Sequence, residues 1–399
     1  MISHVENMVP RGFLFASGTA GIKTSGRSDV AIIEAPEGAT AAAMFTRNRV
    51  AAAPVLVGRE HLAASGGRLR AIVVNSGNAN CATGAGGRRA AEETCTELAA
   101  LLGCAPEEIL PSSTGIIGVP LPVEKLIGAL PRVLDTRGAE PTNLIDVARA
   151  IMTTDTKLKL SSLQIQIGNH TASVVGVAKG AGMIHPDMAT MLVYLFTDAA
   201  ASPALLERVL HGAVAETFNC ISIDGDTSTN DTVVLMASGA ADLCASDDEK
   251  EFSQAVTMVC ASLAEQIVAD GEGVKHLVTL RVEGADSTPD AVLIARTIAH
   301  SLLVKTAWAG ADPNWGRMLA AAGRAGVAID AHTIDIWIGS QQVCANGGAV
   351  GFDEKKAHEE MSAPAYEISI RVGGGPGSSR VLTTDLTAEY VHINADYST

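Results

Sequence analysis

Short apolar runs alternate with longer amphipathic segments along the 399-residue chain, and this alternation restricts the fold more than any other feature. Runs such as Leu69–Val74 and Met191–Phe196 are rich in Val, Ile or Leu, which is typical of buried strands. Segments such as Arg88–Leu102 and Pro203–Phe218 place apolar residues three and four positions apart, which predicts helices. Strands and helices mixed in this order predict an α+β or a layered α/β protein.

Four local patterns give predictions at particular residues. Pro54–Val57 is a short apolar run, and we interpret it as a strand. The Gly-Asn pair at residues 168–169 separates two apolar runs and predicts a two-residue hairpin turn. Ser202 precedes a helical pattern that begins with proline, so we expect it to cap that helix. Gly373–Gly377 lies between two predicted strands and precedes no helix, which favours a surface hairpin loop over a phosphate cradle.

The composition is that of a compact protein with small side chains. Hydrophobic residues make up 47% of the chain and charged residues 18%, which excludes an intrinsically disordered chain. The 39 glycines and the 4% aromatic content indicate close packing with many tight turns. At roughly 150 residues per domain the length allows two or three domains. A change of pattern after Asp270 predicts one domain over residues 1–275 and a second over residues 276–399.

Charge, cysteine usage and hydropathy restrict partners and location. A formal net charge of −15 argues against nucleic-acid binding, which normally needs a basic surface. The seven scattered cysteines fit a reducing compartment better than a disulfide framework. No apolar run approaches the roughly 18 residues of a membrane helix, and the first residues lack the apolar core of a signal peptide. We therefore expect a cytoplasmic protein with no membrane partner.

The motifs of several common enzyme classes are missing from the sequence. It contains no GxxxxGK[ST] phosphate loop and no G-x-S-x-G nucleophile elbow. The segment that begins at Asp224 resembles a calcium loop, but Thr229 and Leu235 occupy the positions that need glycine and glutamate. His358 lacks the second histidine of a zinc-protease helix. We therefore expect no metal and no cofactor.

Five polar segments lie at the ends of predicted strands, where ligand sites in α/β proteins usually form. Each alone is more typical of a turn, but together they favour one site built from strand ends. The segments are Asn75–Asn80, Ser112–Gly115, Met152–Thr156, Lys179–Met183 and Asp187–Thr190.

Thr190 precedes a buried apolar run and follows the small residue Ala189. A threonine hydroxyl needs a base beside it to act as a nucleophile. A threonine at the start of a chain carries its own base, because an α-amine has a pKa of about 7.7–8.0. Cleavage of the Ala189–Thr190 bond would create that amine. A β-branched residue at a strand start is also ordinary, so residue chemistry alone leaves both interpretations open.

The order of motifs resembles that of the ornithine acetyltransferase family, also called the bifunctional glutamate N-acetyltransferase or ArgJ family. The resemblance covers essentially the whole chain. The motifs are Asn75–Asn80, Ser113–Gly118, Ala150–Thr156, Ala178–Ile184, Pro186–Leu192, Ser222–Asp231, Asp270–Gly273, Asp312–Arg317 and Asn394–Thr399. Ala181 and Asp187 stand where many relatives have Ser and Asn, a departure that bears on the rate of processing and not on its occurrence.

The resemblance implies a fold, a maturation step and a reaction. The fold is a DmpA/ArgJ-like αββα sandwich with an N-terminal-nucleophile-type site and a C-terminal α/β domain that completes the substrate site. Self-cleavage between Ala189 and Thr190 gives an α chain of residues 1–189 and a β chain of residues 190–399. The reaction, in arginine biosynthesis, moves acetyl from N2-acetylornithine to glutamate through an acetyl-threonine intermediate. Assembly from two α and two β chains is common in the family.

The resemblance also assigns residues to roles. Thr190 is the nucleophile, and Thr114 and Gly115 match the oxyanion hole. Lys179 suits a carboxylate and Glu272 an ammonium group, which are the charges that the two substrates carry. The substrate-contacting positions are Thr153, Lys179, Thr190, Glu272, Asn394 and Thr399.

Three alternatives stay open in the sequence. Some family members also accept acetyl-CoA, so a second activity as a glutamate acetylase with acetyl-CoA as co-substrate is open. A related N-terminal-nucleophile amidase or aminopeptidase would pass the acyl group to water and release free acetate. An unprocessed amino-acid-binding protein would remain one chain of 41.0 kDa.

Overall fold

The computed structural model describes residues 2–4, 8–167, 169–185, 191–241 and 243–396. Their contacts divide the chain into two compact units. The first unit consists of the described residues of Met1–Asn219 and Asp226–Ile267, and the second of those of Cys220–Gly225 and Val268–Ser398. The predicted boundary between residues 275 and 276 concerns folding domains and stays a prediction.

The described residues form sixteen strands and eleven α-helices. The strands are β1 (Ile2–His4), β2 (Leu14–Gly18), β3 (Val30–Phe45), β4 (Arg68–Asn78), β5 (Ile109–Ile116), β6 (Lys159–Ile167), β7 (His170–Lys179), β8 (Leu192–Thr197), β9 (Ile221–Ser222), β10 (Thr232–Ala237), β11 (Leu277–Ala285), β12 (Asp335–Ile338), β13 (Gln341–Ala345), β14 (Gly348–Ala349), β15 (Ala365–Arg371) and β16 (Gly377–Thr384). The helices are α1 (Ala53–Ala64), α2 (Gly84–Leu102), α3 (Val123–Leu134), α4 (Pro141–Ala150), α5 (Pro203–Glu216), α6 (Glu249–Ala269), α7 (Thr288–Ala299), α8 (Leu302–Ala309), α9 (Trp315–Gly323), α10 (Glu354–Met361) and α11 (Ala388–Asp396).

A mixed sheet of nine strands, counted over the described residues, forms the centre of the first unit. Its order is β1-β6-β7-β8-β10-β3-β4-β5, with β2 paired to β3. Strands β4 and β5 are parallel, as are β8 and β10, and the other neighbours are antiparallel. In the β6–β7 pair Ile167 lies opposite His170, as the two-residue hairpin predicts; Gly168 itself lies outside the described residues.

Strand β3 joins two halves of this sheet: its first part pairs with β4, and its last part pairs with β10. Its register with β4 shifts between Glu34 and Ala39, and after this irregularity β3 pairs with β10. One apolar cluster contains Ile33 from the first half of β3 together with Tyr194 and Val234 from β8 and β10. The two halves of the sheet therefore face each other across a shared core.

Helices cover the outer face of each half. Helices α2 and α3 pack against Ile32 and Val73, which point away from the shared core because side chains alternate along a strand. On the other half, α6 approaches β7 at Gly176, where an added Cβ would lie 2.7 Å from Leu263 Cδ1. The layers are helix, sheet, sheet and helix. The predicted αββα sandwich, and with it the α+β class, is confirmed.

Helix α6 is a core helix. The segment Ala245–Ala269, which contains it, is the one described helix long and apolar enough to cross a membrane, and half of its most apolar window is buried. Its side chains Phe252, Val256, Cys260 and Ile267 are fully buried. That burial explains the apolar composition of the helix without a bilayer.

The second unit has its own sheet and core. Its seven described strands follow the order β14-β13-β12-β15-β11-β16-β9. Helices α7, α8 and α9 contribute Ile294, Trp308 and Met318 to an apolar cluster with Val278 and Leu280 of β11. This unit contains two of the positions that the family resemblance assigns to the substrate site, Glu272 and Asn394.

Two local predictions are wrong, and one is confirmed. Pro54–Val57 is the first turn of α1 and not a strand, because Pro54 at the start of a helix sacrifices no hydrogen bond. Gly373–Gly377 is not a hairpin, because β15 and β16 flank β11 and the connection crosses the end of β11. Cβ atoms at Gly375 and Gly377 would lie 2.2 Å from backbone oxygens beneath them. Ser202 caps α5 by accepting a hydrogen bond from Leu205 N, as predicted.

Candidate active site

The parallel strands β4 and β5 come unusually close at their carboxyl ends. Gly77 lies opposite Gly115, and both have positive φ angles, 96° and 134°. A Cβ on Gly115 would lie 2.3 Å from the carbonyl carbon of Gly77, so only glycine fits there. This approach fixes the orientation of the Thr114–Gly115 peptide, the predicted oxyanion hole, at the end of the sheet.

Side-chain amides hold these strand ends against the start of β10. Asn75 accepts a hydrogen bond from Ser113 Oγ at 2.6 Å and donates one to Asn78 O at 2.8 Å. Asn230, just before β10, donates to Ala79 O at 2.6 Å and to Ser113 O at 2.9 Å. The amides satisfy buried carbonyl groups where the ladders end. They join the ends of β4 and β5 to the beginning of β10.

A buried carboxylate, Asp155, organises the next part of the site. Its Oδ1 accepts hydrogen bonds from Lys159 Nζ and from Gly180 N, both at 2.7 Å, and its Oδ2 accepts one from Thr153 N at 3.0 Å. Burial alone would raise the pKa of Asp155, but the charges of Lys179 and Lys159 outweigh it and lower the pKa to about 2. The ionised Asp155 therefore holds Thr153 and the Lys179–Gly180 peptide together.

Two lysines give this end of the sandwich a positive character. Lys179 ends β7, is 4% exposed, and lies opposite Leu192 in the β7–β8 ladder. Lys23 donates to Ser28 O at 2.9 Å and to Ala150 O at 3.0 Å. Burial, and then the charges of Arg27 and Lys179, lower the pKa of Lys23 to about 8. Two cations near one another suit a ligand that carries carboxylates.

One carbonyl connects this cluster to the glycine contact. Ala150 O accepts from Lys23 Nζ and also from Ser76 Oγ, at 2.5 Å. A Cβ on Gly77 would lie 2.9 Å from Lys23 Cγ, so the lysine stem passes directly beside the end of β4. Thr114, Gly115, Thr153 and Lys179 are therefore all at one end of the first unit.

Met191, the second residue after the predicted cleavage bond, lies next to this end of the sandwich. Ala189, Thr190 and Thr399 are outside the described residues, so the roles assigned to them stay predictions. Met191, the next residue after Thr190, is described and buried; its N–H donates to Asp231 Oδ1 at 3.1 Å. Its carbonyl accepts from Thr232 N, also at 3.1 Å. Met191 is thus bound by Asp231 and Thr232, the two residues that follow Asn230, which bonds to Ser113 O.

In the second unit the other two predicted substrate positions contact each other. Asn394 Nδ2, on α11, donates to Glu272 Oε2 at 2.7 Å and to Tyr390 O at 3.0 Å. Tyr390 in turn hydrogen bonds through its hydroxyl to Asp224 Oδ2 at 3.2 Å. A Cβ on Gly273 would lie 2.5 Å from Tyr390 N, so Gly273 permits the close packing of α11. The pair presents a carboxylate beside an amide, which suits an ammonium group.

Sequence reasoning missed three charged residues of the first unit. No sequence motif marks Lys23 or Lys159, because their hydrogen bonds to Ala150 and Asp155 exist only in the folded chain. Asp231 ends one of the motifs that the family resemblance used, but its position beside Met191 follows from the β8–β10 pairing. No group of three or more His, Cys, Asp or Glu side chains with metal-binding geometry occurs in the described part of the chain.

Known proteins that are similar to this chain belong to one family. Residues 14–399 match the ArgJ family. An arginine biosynthesis bifunctional protein ArgJ from Methylococcus capsulatus is 45% identical over 97% of this chain and 95% of its own length. The chain belongs to the ArgJ family. The family predicted from the order of motifs is thereby confirmed. The ArgJ protein of Chlorobaculum tepidum is also similar, at 43% identity over 97% of this chain and 96% of its own length.

Two solved structures of similar proteins extend the comparison. The ArgJ protein of Bacillus halodurans is 40% identical over 50% of this chain and 96% of its own, with a TM-score of 0.48. The ornithine acetyltransferase of Mycobacterium tuberculosis, solved with ornithine, is 35% identical over 47% of this chain and 98% of its own, with a TM-score of 0.43. The assignment to the ArgJ family rests on the match along the whole sequence.

Proposed function

We propose that this chain is an acyltransferase of arginine biosynthesis that moves the acetyl group from N2-acetylornithine to glutamate. Membership of the ArgJ family supports the reaction class. The observation that carries the proposal is the convergence of the Thr114–Gly115 peptide, Lys179 and the start of the Met191 segment at one end of the sandwich. Donors for an oxyanion and a cation for a carboxylate therefore lie at the same end of the sandwich as Met191, the residue that follows the predicted nucleophile.

Maturation proceeds by self-cleavage at Ala189–Thr190. The Thr190 hydroxyl adds to the Ala189 carbonyl carbon, the Cα-bound nitrogen of Thr190 leaves with the hydroxyl proton, and an ester links the two residues. Water then hydrolyses the ester, which restores the hydroxyl and frees the carboxylate of Ala189. The products are the α chain, residues 1–189, and a β chain whose Thr190 carries a free α-amine. That amine is the base for the next reaction.

Acetyl transfer follows a ping-pong course. The Thr190 α-amine accepts the hydroxyl proton while Oγ attacks the acetyl carbonyl; the bond to the ornithine nitrogen breaks, and the proton passes to that nitrogen. The neutral amine of glutamate then attacks the acetyl-threonine ester, losing a proton as Thr190 regains one. Both tetrahedral intermediates carry an oxyanion, which the donors at Thr114 and Gly115 stabilise. One such donor is typically worth ~10²–10³ in rate.

Charge complementarity supports the predicted substrate contacts. Lys179, with Lys23 nearby, provides positive charge for a substrate carboxylate. In the second unit the Glu272 carboxylate, hydrogen bonded to Asn394, suits the side-chain ammonium of ornithine. Thr153, Thr190 and Thr399 complete the proposed substrate contacts.

Three further features belong to the proposal. The curated ArgJ relatives are named bifunctional, which supports acetyl-CoA as a second acetyl donor to glutamate. The enzyme acts without a bound cofactor, as an assembly of two α and two β chains in the cytoplasm. Acetylglutamate formation from glutamate and acetyl-CoA, with acetylornithine omitted, tests the second activity; no product would remove it.

The test of the main reaction is an assay with acetylornithine and glutamate, with the products separated and identified. We expect ornithine and acetylglutamate in equal amounts. Free acetate without acetylglutamate would instead identify an amidase. The Thr190→Ala variant should show neither cleavage nor transfer, and an active or cleaved Thr190→Ala variant would contradict the nucleophile assignment.

A further inference from the structure

Asp231 is a buried carboxyl group that contacts Met191, the second residue after the predicted cleavage bond. It is 1% exposed and immediately precedes β10. Its Oδ1 accepts the hydrogen bond from Met191 N, and the next residue, Thr232, donates its N–H to Met191 O. Both peptide groups that flank Met191 are thus held by two consecutive residues. Since Thr190 is covalently joined to Met191 N, Asp231 restrains the residue that becomes the nucleophile.

The surroundings of Asp231 favour the neutral acid. Burial raises its pKa well above the ordinary value. The hydrogen bond from Met191 N, the Ser228 and Thr46 side chains and the charge of Lys179 act in the opposite direction without offsetting the burial. Its second oxygen, Oδ2, is buried and has no hydrogen-bond partner among the described residues. A carboxyl group with one buried, unpartnered oxygen is more stable as the neutral acid than as a carboxylate.

A neutral acid suits the chemistry at this position better than a carboxylate. A negative charge beside the Thr190 α-amine would stabilise its ammonium form, and an ammonium cannot accept the hydroxyl proton. A neutral acid keeps the hydrogen bond to Met191 without that penalty. We propose that Asp231 is a positioning residue that works as a neutral acid and anchors Met191, and with it the covalently joined Thr190, through Oδ1. Asp231 neither gains nor loses a proton during self-cleavage or acetyl transfer.

This inference rests on the proposed function, in which Thr190 is the nucleophile, and it is distinct from it. A substitution by asparagine copies the neutral acid, because the amide has one acceptor and one N–H₂ donor at the same positions. A substitution by alanine removes both. The role proposed here therefore predicts that asparagine rescues what alanine loses, whereas a catalytic carboxylate would be lost in both variants.

The experiment compares Asp231→Asn and Asp231→Ala with the wild-type chain. The rate of self-cleavage is followed by intact mass from the time of synthesis, and kcat and KM are measured on the cleaved enzyme. We expect Asp231→Asn to stay within about 3-fold of wild type in both rates. We expect Asp231→Ala to lose ~10–100-fold in cleavage rate and in kcat, with KM little changed, since one buried hydrogen-bonded partner is worth ~1–3 kcal/mol.

Asp198 provides the matched control. It is also buried, lies just beyond the other end of β8, and accepts a backbone hydrogen bond from Ser173 N at 2.6 Å. Asp198→Ala should lower the melting temperature and leave the cleavage rate unchanged. An equal loss of cleavage in Asp198→Ala and Asp231→Ala would reduce the role of Asp231 to general stability and overturn the proposal.

The remaining outcomes separate this inference from the proposed function. If Asp231→Asn is as impaired as Asp231→Ala, a charged carboxylate is needed and the neutral acid is wrong. If both variants cleave and transfer like wild type, Asp231 has no positioning role, but the transferase stands. If wild type itself neither cleaves nor transfers, the proposed function fails and this inference with it. Should Asp231→Ala fail to fold, Asp231→Asn decides alone: wild-type rates support the neutral acid and lost rates overturn it.

Discussion

The contact between Gly115 and Gly77 gives the sharpest prediction about how the fold builds the site. Gly115→Ala places a methyl group 2.3 Å from the Gly77 carbonyl carbon and 2.5 Å from Asn78 N, and both are backbone atoms that cannot rotate away. The φ of 134° adds strain for any side chain. Strain of ~1–3 kcal/mol and overpacking of ~1–3 kcal/mol give a total loss of about 2–6 kcal/mol in the free energy of unfolding.

A substitution at Gly118 separates backbone strain from overpacking. Gly118 lies three residues further along, has a φ of 84°, and no heavy atom lies within 4 Å of the position of its Cβ. Gly118→Ala should therefore show only backbone strain, ~1–2 kcal/mol. Urea unfolding of both variants measures the difference, and acetyl transfer by folded protein measures the site. We expect kcat to fall ~10²–10³-fold in Gly115→Ala, because β5 must move away from β4 and carry the Thr114–Gly115 donors with it.

A Gly115→Ala variant that is as stable as Gly118→Ala would mean that the strand ends tolerate a side chain. A variant that is strongly destabilised but keeps full kcat when folded would mean that the Thr114–Gly115 peptide does not stabilise the oxyanion.

Other predictions follow from the charged groups and a helix cap. Because the pKa of Asp155 is lowered to about 2, its stabilising contribution is present above the ordinary pKa and is lost as the pH falls from about 4 to 2; this amounts to about 2 kcal/mol, and acid titrations of unfolding should show it in wild type and not in Asp155→Asn. Lys159→Met removes the cation that hydrogen bonds to the buried Asp155, leaves only the charge of Lys179 beside it, and should cost ~3–5 kcal/mol in urea unfolding. Lys179→Met removes a buried lysine and should raise KM ~10–100-fold in steady-state assays. The control Lys157→Met replaces an exposed lysine and should leave KM unchanged. Ser202→Ala should cost about 1 kcal/mol in thermal unfolding and leave activity intact.

The sequence alone predicts elements whose signals are local. Helix α2 ends at the predicted Leu102 and helix α5 begins at the predicted Pro203, because apolar spacing and flanking residues suffice there. The strand predicted at Pro54–Val57 is wrong, since a short apolar run is equally compatible with the first turn of a helix. The hairpin predicted at Gly373–Gly377 is wrong for another reason. The course of this connection depends on which strands lie beside β11, and the order of strands in a sheet does not follow from local sequence.

In the candidate site, too, residues with a local sequence signal could be predicted and residues defined by distant contacts could not. Thr114, Gly115, Thr153 and Lys179 were found because they occur in motifs that resemble a family, and the fold brings them to one end of the sandwich. Lys23 could not be found, because the carbonyl that holds its ammonium group belongs to a residue 127 positions away. Contacts over that distance depend on how α4 packs against β2 and β3, which no periodicity in the sequence reports.

The most direct test of the account is the denaturing mass of the enzyme after incubation with acetylornithine in the absence of glutamate, quenched in acid. The account predicts two chains, residues 1–189 and 190–399, with the second heavier by one acetyl group that sits on Thr190 and disappears when glutamate is added. A single chain of 41.0 kDa, or a second chain that never carries acetyl while acetylglutamate still forms, would contradict it.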